Sequence, residues 1–141
     1  MVAMRKNIER VAQIDVATVA SSQSIGQGIP VIIDASGEAT PVTAATSKAT
    51  HLSYTSEDGT WPATEGDKVS CIKLGSPCTA PVKVGTGGAT IGEYGSATTD
   101  GVTDDVVGGG TTLVVPICEF MQTGVAGDLV GGWLGVSRTV G

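Results

Sequence analysis

Apolar and polar positions alternate along this chain in short runs, and glycine or proline closes almost every run. The clearest case spans 66–88. Gly66-Asp67-Lys68-Val69-Ser70-Cys71-Ile72-Lys73-Leu74-Gly75 reads as a strand, Ser76-Pro77 as a turn, and Pro81-Val82-Lys83-Val84 as a second strand. Val82 and Val84 share one face while Lys83 takes the other, the period-two pattern of a half-buried strand. Gly85-Thr86-Gly87-Gly88 then forms a hinge into Ala89-Thr90-Ile91, since glycine supplies the positive φ that tight turns need.

The rest of the chain follows the same rhythm. Residues 5–20 fit either a helix face or an alternation of Ala12, Ile14 and Val16 against Gln13, Asp15 and Ala17. The β-branched residues favour a strand preceded by a flexible arm. Residues 24–28 are a turn cluster, and Ile29-Pro30-Val31-Ile32-Ile33 is a strand with Pro30 at its start or edge. Asp34-Ala35-Ser36-Gly37 turns that strand back into 38–42 as a hairpin, and 43–50 is a loop. His51 to Thr55 alternates as a strand, and Trp61 to Glu65 leads into the stretch at 66. Residues 98–110 read as an exposed loop. Thr111 to Phe120 is apolar on both faces, hence a buried strand with Pro116 at a bulge or edge. The last strand runs from Leu129 to Thr139, with Trp133 on the face of Gly131 and Gly135 so that its indole covers glycine. Gly66-Asp67-Lys68-Val69 recurs as Gly127-Asp128-Leu129-Val130, a bend that opens a strand in both places.

The pattern predicts an all-β fold, a compact β-barrel or β-sandwich of short antiparallel strands. It divides the chain into an N-terminal arm, 1–20, and a single β domain, 21–141. Composition sharpens this. Of the 141 residues 21 are glycine, and only Phe120, Trp61, Trp133, Tyr54 and Tyr94 are aromatic. A core built from small side chains is thin, which favours completion by assembly. A net charge of −6 disfavours nucleic acid and anionic membrane as partners, because both need a basic surface. Arg5, Lys6 and Arg10 form the one basic cluster, and Met1 to Glu9 holds no apolar stretch of the secretory kind. Cys71, Cys78 and Cys118 are odd in number and fit no zinc or redox spacing, so they read as reduced thiols made in a cytoplasm.

Candidate chemistry is sparse. Gly85 to Gly88 lacks the Gly-Lys-Ser/Thr and following helix of a phosphate loop. Asp100, Asp104 and Asp105 lack the calcium-loop spacing and read as a solvated acidic loop. His51 is the single histidine, so any hydroxyl or thiol triad must use it, and no nucleophile elbow accompanies it. The expectation is a protein without catalytic residues, cofactor or metal.

At Gly66-Asp67-Lys68-Val69, Lys83-Val84-Gly85 and Ile91-Gly92-Glu93-Tyr94-Gly95, the sequence resembles the small β-rich decoration, or cement, proteins of tailed-bacteriophage capsids. Gly28-Ile29-Pro30-Val31, Asp34-Ala35-Ser36-Gly37 and Gly127-Asp128-Leu129-Val130 extend the likeness over roughly 20–140. The resemblance implies a structural protein made in the host cytoplasm and carried on the virion. There it binds the outside of the phage head, commonly as a homotrimer, with the major capsid protein as partner. The contact is expected in the arm, at Met4, Arg5, Lys6, Ile8 and Arg10, where the basic cluster meets an acidic body. Three rivals remain. One is a carbohydrate- or host-surface-binding module of a virion appendage, which would expose Trp61, Trp133 or Tyr94. The second is a biotinyl- or lipoyl-type carrier, which needs a lysine at a hairpin tip. The third is a hydrolase that uses His51.

Overall fold

The structure, a computed structural model, describes residues 12–104 and 115–136. Among these the chain forms twelve strands and no helix: β1 (Ile14–Val19), β2 (Ser24–Ile25), β3 (Pro30–Ile33), β4 (Glu38–Pro41), β5 (His51–Ser56), β6 (Ala63–Thr64), β7 (Lys68–Lys73), β8 (Thr79–Lys83), β9 (Tyr94–Thr98), β10 (Gly101–Thr103), β11 (Pro116–Phe120) and β12 (Leu129–Trp133). Strands β1-β4-β3-β5-β7 close into a barrel. A second, five-stranded sheet runs β10-β9-β11-β12-β8, and β2 pairs with β6 as a separate ribbon. The edges of the second sheet meet at a parallel bridge between Val84 and Val102.

Alternation sorts the side chains into two cores. Ala17, Val19, Val31, Ala39, Val69 and Cys71 form one buried cluster inside the barrel, which Ile25 and Ala63 of the ribbon complete. The opposite faces of β5 and β7 carry Leu52 and Ile72. These pack, with Val42 and Leu74, against Ala80, Val82, Val102, Phe120 and Val130 of the second sheet. Among the described residues Phe120 is the largest fully buried side chain, and Gly95 makes its room, as Gly132 does for Val82. A Cβ at Gly95 would lie 2.6 Å from Val102 Cγ1 and 2.7 Å from Phe120 Cε2, and one at Gly132 would lie 2.6 Å from Val82 Cγ2.

The recurring bend is one physical turn. In Thr64–Asp67 the Asp67 N–H donates to Thr64 O at 2.9 Å, Gly66 takes φ 86°, and Asp67 Oδ2 accepts the Thr64 N–H at 2.9 Å. Val125–Asp128 repeats every part, with Gly127 at φ 99° and the Val125 N–H on Asp128 Oδ2 at 3.0 Å. Thr90–Glu93 has the same backbone closure and Gly92 at φ 87°. Each turn feeds a strand: β7, β12 and β9. Positive φ at the third position is the type II requirement that glycine meets.

The all-β expectation holds, and the barrel is the form of the first sheet. Pairing is mixed rather than antiparallel throughout, because β1 runs parallel to β4 at Thr18↔Glu38 and Val19↔Ala39. The strand expected after the arm is β1, a stave of the barrel; residues 1–11 of that segment lie outside the described residues. The 66–84 stretch does not fold back on itself: β7 belongs to the barrel and β8 to the second sheet, so this connection crosses between them. The loop expected at 98–110 contains β10, whose residues are buried where Gly101 crosses the backbone of β8. A Cβ there would meet Lys83 O at 2.5 Å, so the glycine that suggested a loop is a close-approach residue. Residues 105–110 and 111–114 lie outside the described residues, and the buried strand begins at Pro116. Its pairing with β9 shifts between Pro116 and Cys118, the expected irregularity. The last strand ends at Trp133, whose indole covers Gly135 and not Gly131. The turn cluster at 24–28 and the leader at 61–65 turn out to supply the paired β2 and β6.

Candidate functional site

Three places on the fold gather side chains with chemical capacity. The first is the barrel end at the start of β1. Asp15 pairs across the ladder with Cys71, and His51 pairs with Lys73, so both side chains rise from the same face on the two strands flanking β7. They meet over it, His51 Nε2 to Asp15 Oδ2 at 2.7 Å, with the imidazole nearly buried and the carboxylate 40% exposed. Thr50 Oγ1 lies 2.7 Å from His51 Nδ1 and accepts the Ile33 N–H at 3.0 Å. The Thr50 hydroxyl also lies 3.5 Å from Val31 O, so the His51 ring bridges Asp15 of β1 and Thr50, and Thr50 in turn reaches β3. The His51 hydrogen bond, aided by Gln13 and the charges of His51 and Lys73, holds the Asp15 carboxyl below its ordinary range against some desolvation.

An imidazole, a hydroxyl and a carboxylate therefore do assemble in space, a grouping that the sequence does not show. Their arrangement binds β1, β3 and β5 together. The Thr50 hydroxyl is shared between the backbone of β3 and the ring, and His51 is 8% exposed. Cys71 and Cys118 are buried as well, and Cys78 is partly so. Burial pushes Cys71 up to about 12, with the Asp15 charge adding to it, and burial pushes Cys118 up to about 12. Burial also raises Cys78, and all three cysteines are free. Thiols with pKa values this high stay protonated at neutral pH and are poor nucleophiles.

The second place is a cleft of about 430 Å³ at the seam between barrel and second sheet. The loop before β3 builds it: Gly28 donates to Ser53 O at 2.9 Å on one side and accepts the Lys83 N–H at 3.0 Å on the other. Only glycine fits this crossing, since a Cβ would sit 2.7 Å from Lys83 N. Gln27, Ile29, Pro41, Thr43, Lys83 and Asp100 are among the residues that line it. Asp100 is tied to the neighbouring turn. Its Oδ1 accepts the Thr86 N–H at 2.8 Å and its Oδ2 the Thr86 hydroxyl at 2.7 Å, bonds that lower its pKa. Among the described residues no group of three or more His, Cys, Asp or Glu is arranged to hold a metal, and Asp105 lies outside them.

The third place is one end of the second sheet. Ile91, Tyr94 and Val125 are 62%, 59% and 69% exposed, and Met121 and Leu129 are nearly half exposed. The segments that carry them are neighbours: the Ile91 N–H reaches Thr123 Oγ1 at 3.1 Å, the Met121 N–H reaches Gly131 O at 2.9 Å, and Leu129 follows the Val125–Asp128 turn. On the barrel, Ile14 and Val16 of β1 are also exposed.

Of the contact residues expected from the sequence, Met4, Arg5, Lys6, Ile8 and Arg10 all lie outside the described residues. Trp61 packs against the barrel core and Trp133 lies over Gly135, so Tyr94 alone of the three rings named for stacking is exposed. Lys73 and Lys83 end strands of different sheets, so no hairpin joins them in the manner of a carrier domain. The exposed apolar residues were the ones sequence reasoning missed. Their signal was present: Ile91 and Val125 are large aliphatic residues inside glycine turns, where solvent-facing polar residues are usual. Comparison with protein-family models and with curated proteins finds no match for this chain.

Proposed function

We propose that this protein is a non-catalytic structural component of a tailed-phage virion, one that binds the outer surface of the head and reinforces its lattice as a homotrimer. The observation that carries the reading is the apolar end of the second sheet. Ile91, Tyr94, Met121, Val125 and Leu129 stand exposed on neighbouring segments of a body whose histidine and two of three thiols, Cys71 and Cys118, are withdrawn into the fold. Large apolar residues grouped at one surface mark contact with another macromolecule. The turn motifs on which the resemblance rests are the same turns that deliver β7, β9 and β12.

The mechanism is multivalent. A trimer offers three copies of one contact to a symmetric lattice, and the second and third form at high effective concentration, adding about 10²–10⁴ to affinity. Bridging neighbouring capsid subunits then opposes their separation. The N-terminal segment with Met4, Arg5, Lys6, Ile8 and Arg10 joins the contact with the major capsid protein or with a neighbouring protomer, because it carries the one basic cluster of an acidic protein. Native mass measurement followed by mixing with undecorated heads tests the reading. Trimers that saturate the heads and raise their disruption temperature support it; protomers that never sediment with heads refute it. Deleting residues 1–10 weakens that binding if the segment takes part and leaves it unchanged if it does not.

A further inference from the structure

We propose that the cleft between the barrel and the second sheet binds a neutral saccharide unit. The volume of about 430 Å³ falls within the ~300–1,000 Å³ typical of small-molecule sites. Its chemistry narrows the occupant. One carboxylate, Asp100, and one ammonium, Lys83, line the same opening without forming an ion pair, although the Lys83 charge helps to lower the Asp100 pKa. The two Thr86 bonds fix the Asp100 carboxylate in place and keep it ionised, yet its oxygens retain lone pairs for a further donor. Among the described residues the Lys83 ammonium has no hydrogen-bond or ion-pair partner, whereas its backbone N–H anchors the seam through Gly28.

Such a cleft is neutral overall and dipolar within. A free anion meets Asp100 and a free cation meets Lys83, so each is opposed by one wall. A vicinal diol is opposed by neither: one hydroxyl donates to Asp100 while the other accepts from Lys83. Gln27, whose Nε2 already donates to Tyr54 O at 3.4 Å, and Thr43 add polar groups to the lining, and Ile29 and Pro41 add apolar surface that suits the C–H face of a sugar ring. Most of the site is preformed, because its framework is strand ends and the Gly28 crossing. No aromatic ring lines it, so binding rests on hydrogen bonds and is weak, in the millimolar range, for a single sugar.

This inference is independent of head binding, and its test uses the isolated full-length protein. Amide spectra are recorded with glucose, galactose, mannose and N-acetylglucosamine, and in parallel with glucuronate and with glycine as charged and zwitterionic probes. The expected result is a saturable shift at Gly26, Thr43 and Gly101 with at least one neutral sugar. Asp100→Asn and Lys83→Met should each weaken it about tenfold or more, as losing a charged hydrogen-bond partner requires. The rest of the spectrum reports whether each variant is folded, and Lys83→Met leaves the Thr86 bonds untouched. Absence of any saturable shift overturns the proposal, as do undiminished shifts in the folded variants. Response to glycine or glucuronate alone also overturns it, by assigning the cleft to a charged ligand.

Discussion

At the scale of residues, the single histidine shows how a reactive side chain becomes a structural one. His51 is joined to Asp15, 36 positions away, and to its neighbour Thr50, so three strands of the barrel depend on one imidazole. The pair implies a pH dependence with a definite sign. Because the folded-state pKa of Asp15 is lowered, its contribution is fully present above the unfolded carboxyl value, about 4, and is lost as pH falls through the lower folded value. Urea melts over a pH series should therefore show the wild type exceeding Asp15→Asn by a steady margin above about pH 4, with the margin closing below it. The carboxylate is partly solvated, so the margin is ~1 kcal/mol or less. A margin that grew on acidification would contradict the network. Alternation placed both residues on strands, yet nothing local in the sequence says that one strand separates them.

At the scale of elements, turns were legible and strand partners were not. The closure of Thr64–Asp67 runs from a residue to its third neighbour, so glycine and aspartate in a short window determine it. Gly66 stands in open space at φ 86°, with nothing within 4 Å of where a Cβ would be. Gly66→Ala should then cost about 1 kcal/mol through backbone strain alone, and Gly66→Asn distinctly less, because asparagine tolerates the left-handed region. Gly127→Ala, equally unobstructed at φ 99°, should match Gly66→Ala in chemical denaturation. A large difference between these two sites would mean that the turns are not equivalent. Strands β7 and β8, by contrast, are neighbours in sequence but belong to different sheets, and β10 hides behind Gly101. Sequential strands pair only about two-thirds of the time, so adjacency alone does not decide such cases.

At the scale of the molecule, the small side chains have a visible consequence. Gly95 lets a single phenylalanine fill the second sheet, Gly132 leaves room for Val82 and Cys118, and the barrel closes around alanine, valine and cysteine. The larger aliphatic residues that this core does not need stand outside at Ile91, Met121, Val125 and Leu129. If they form the assembly contact, Val125→Glu and Leu129→Glu should reduce trimer mass or head binding while leaving the thermal melt of the isolated chain within a degree or two. Substitutions that lowered the melt and spared assembly would move the contact elsewhere, to Ile14 and Val16 on the barrel or to the N-terminal segment. The sequence by itself determined the all-β class, most strand positions and the glycine turns, because φ preferences and period-two alternation are properties of short windows. Only the tertiary structure decided that β1 runs parallel to β4, that five strands close into a barrel, and that Asp15 reaches His51. Alternation says which face of a strand is buried, but the ladder bonds that choose its neighbour join backbone groups, which are the same in every residue except proline. The choice is made by the packing of side chains far apart in the chain.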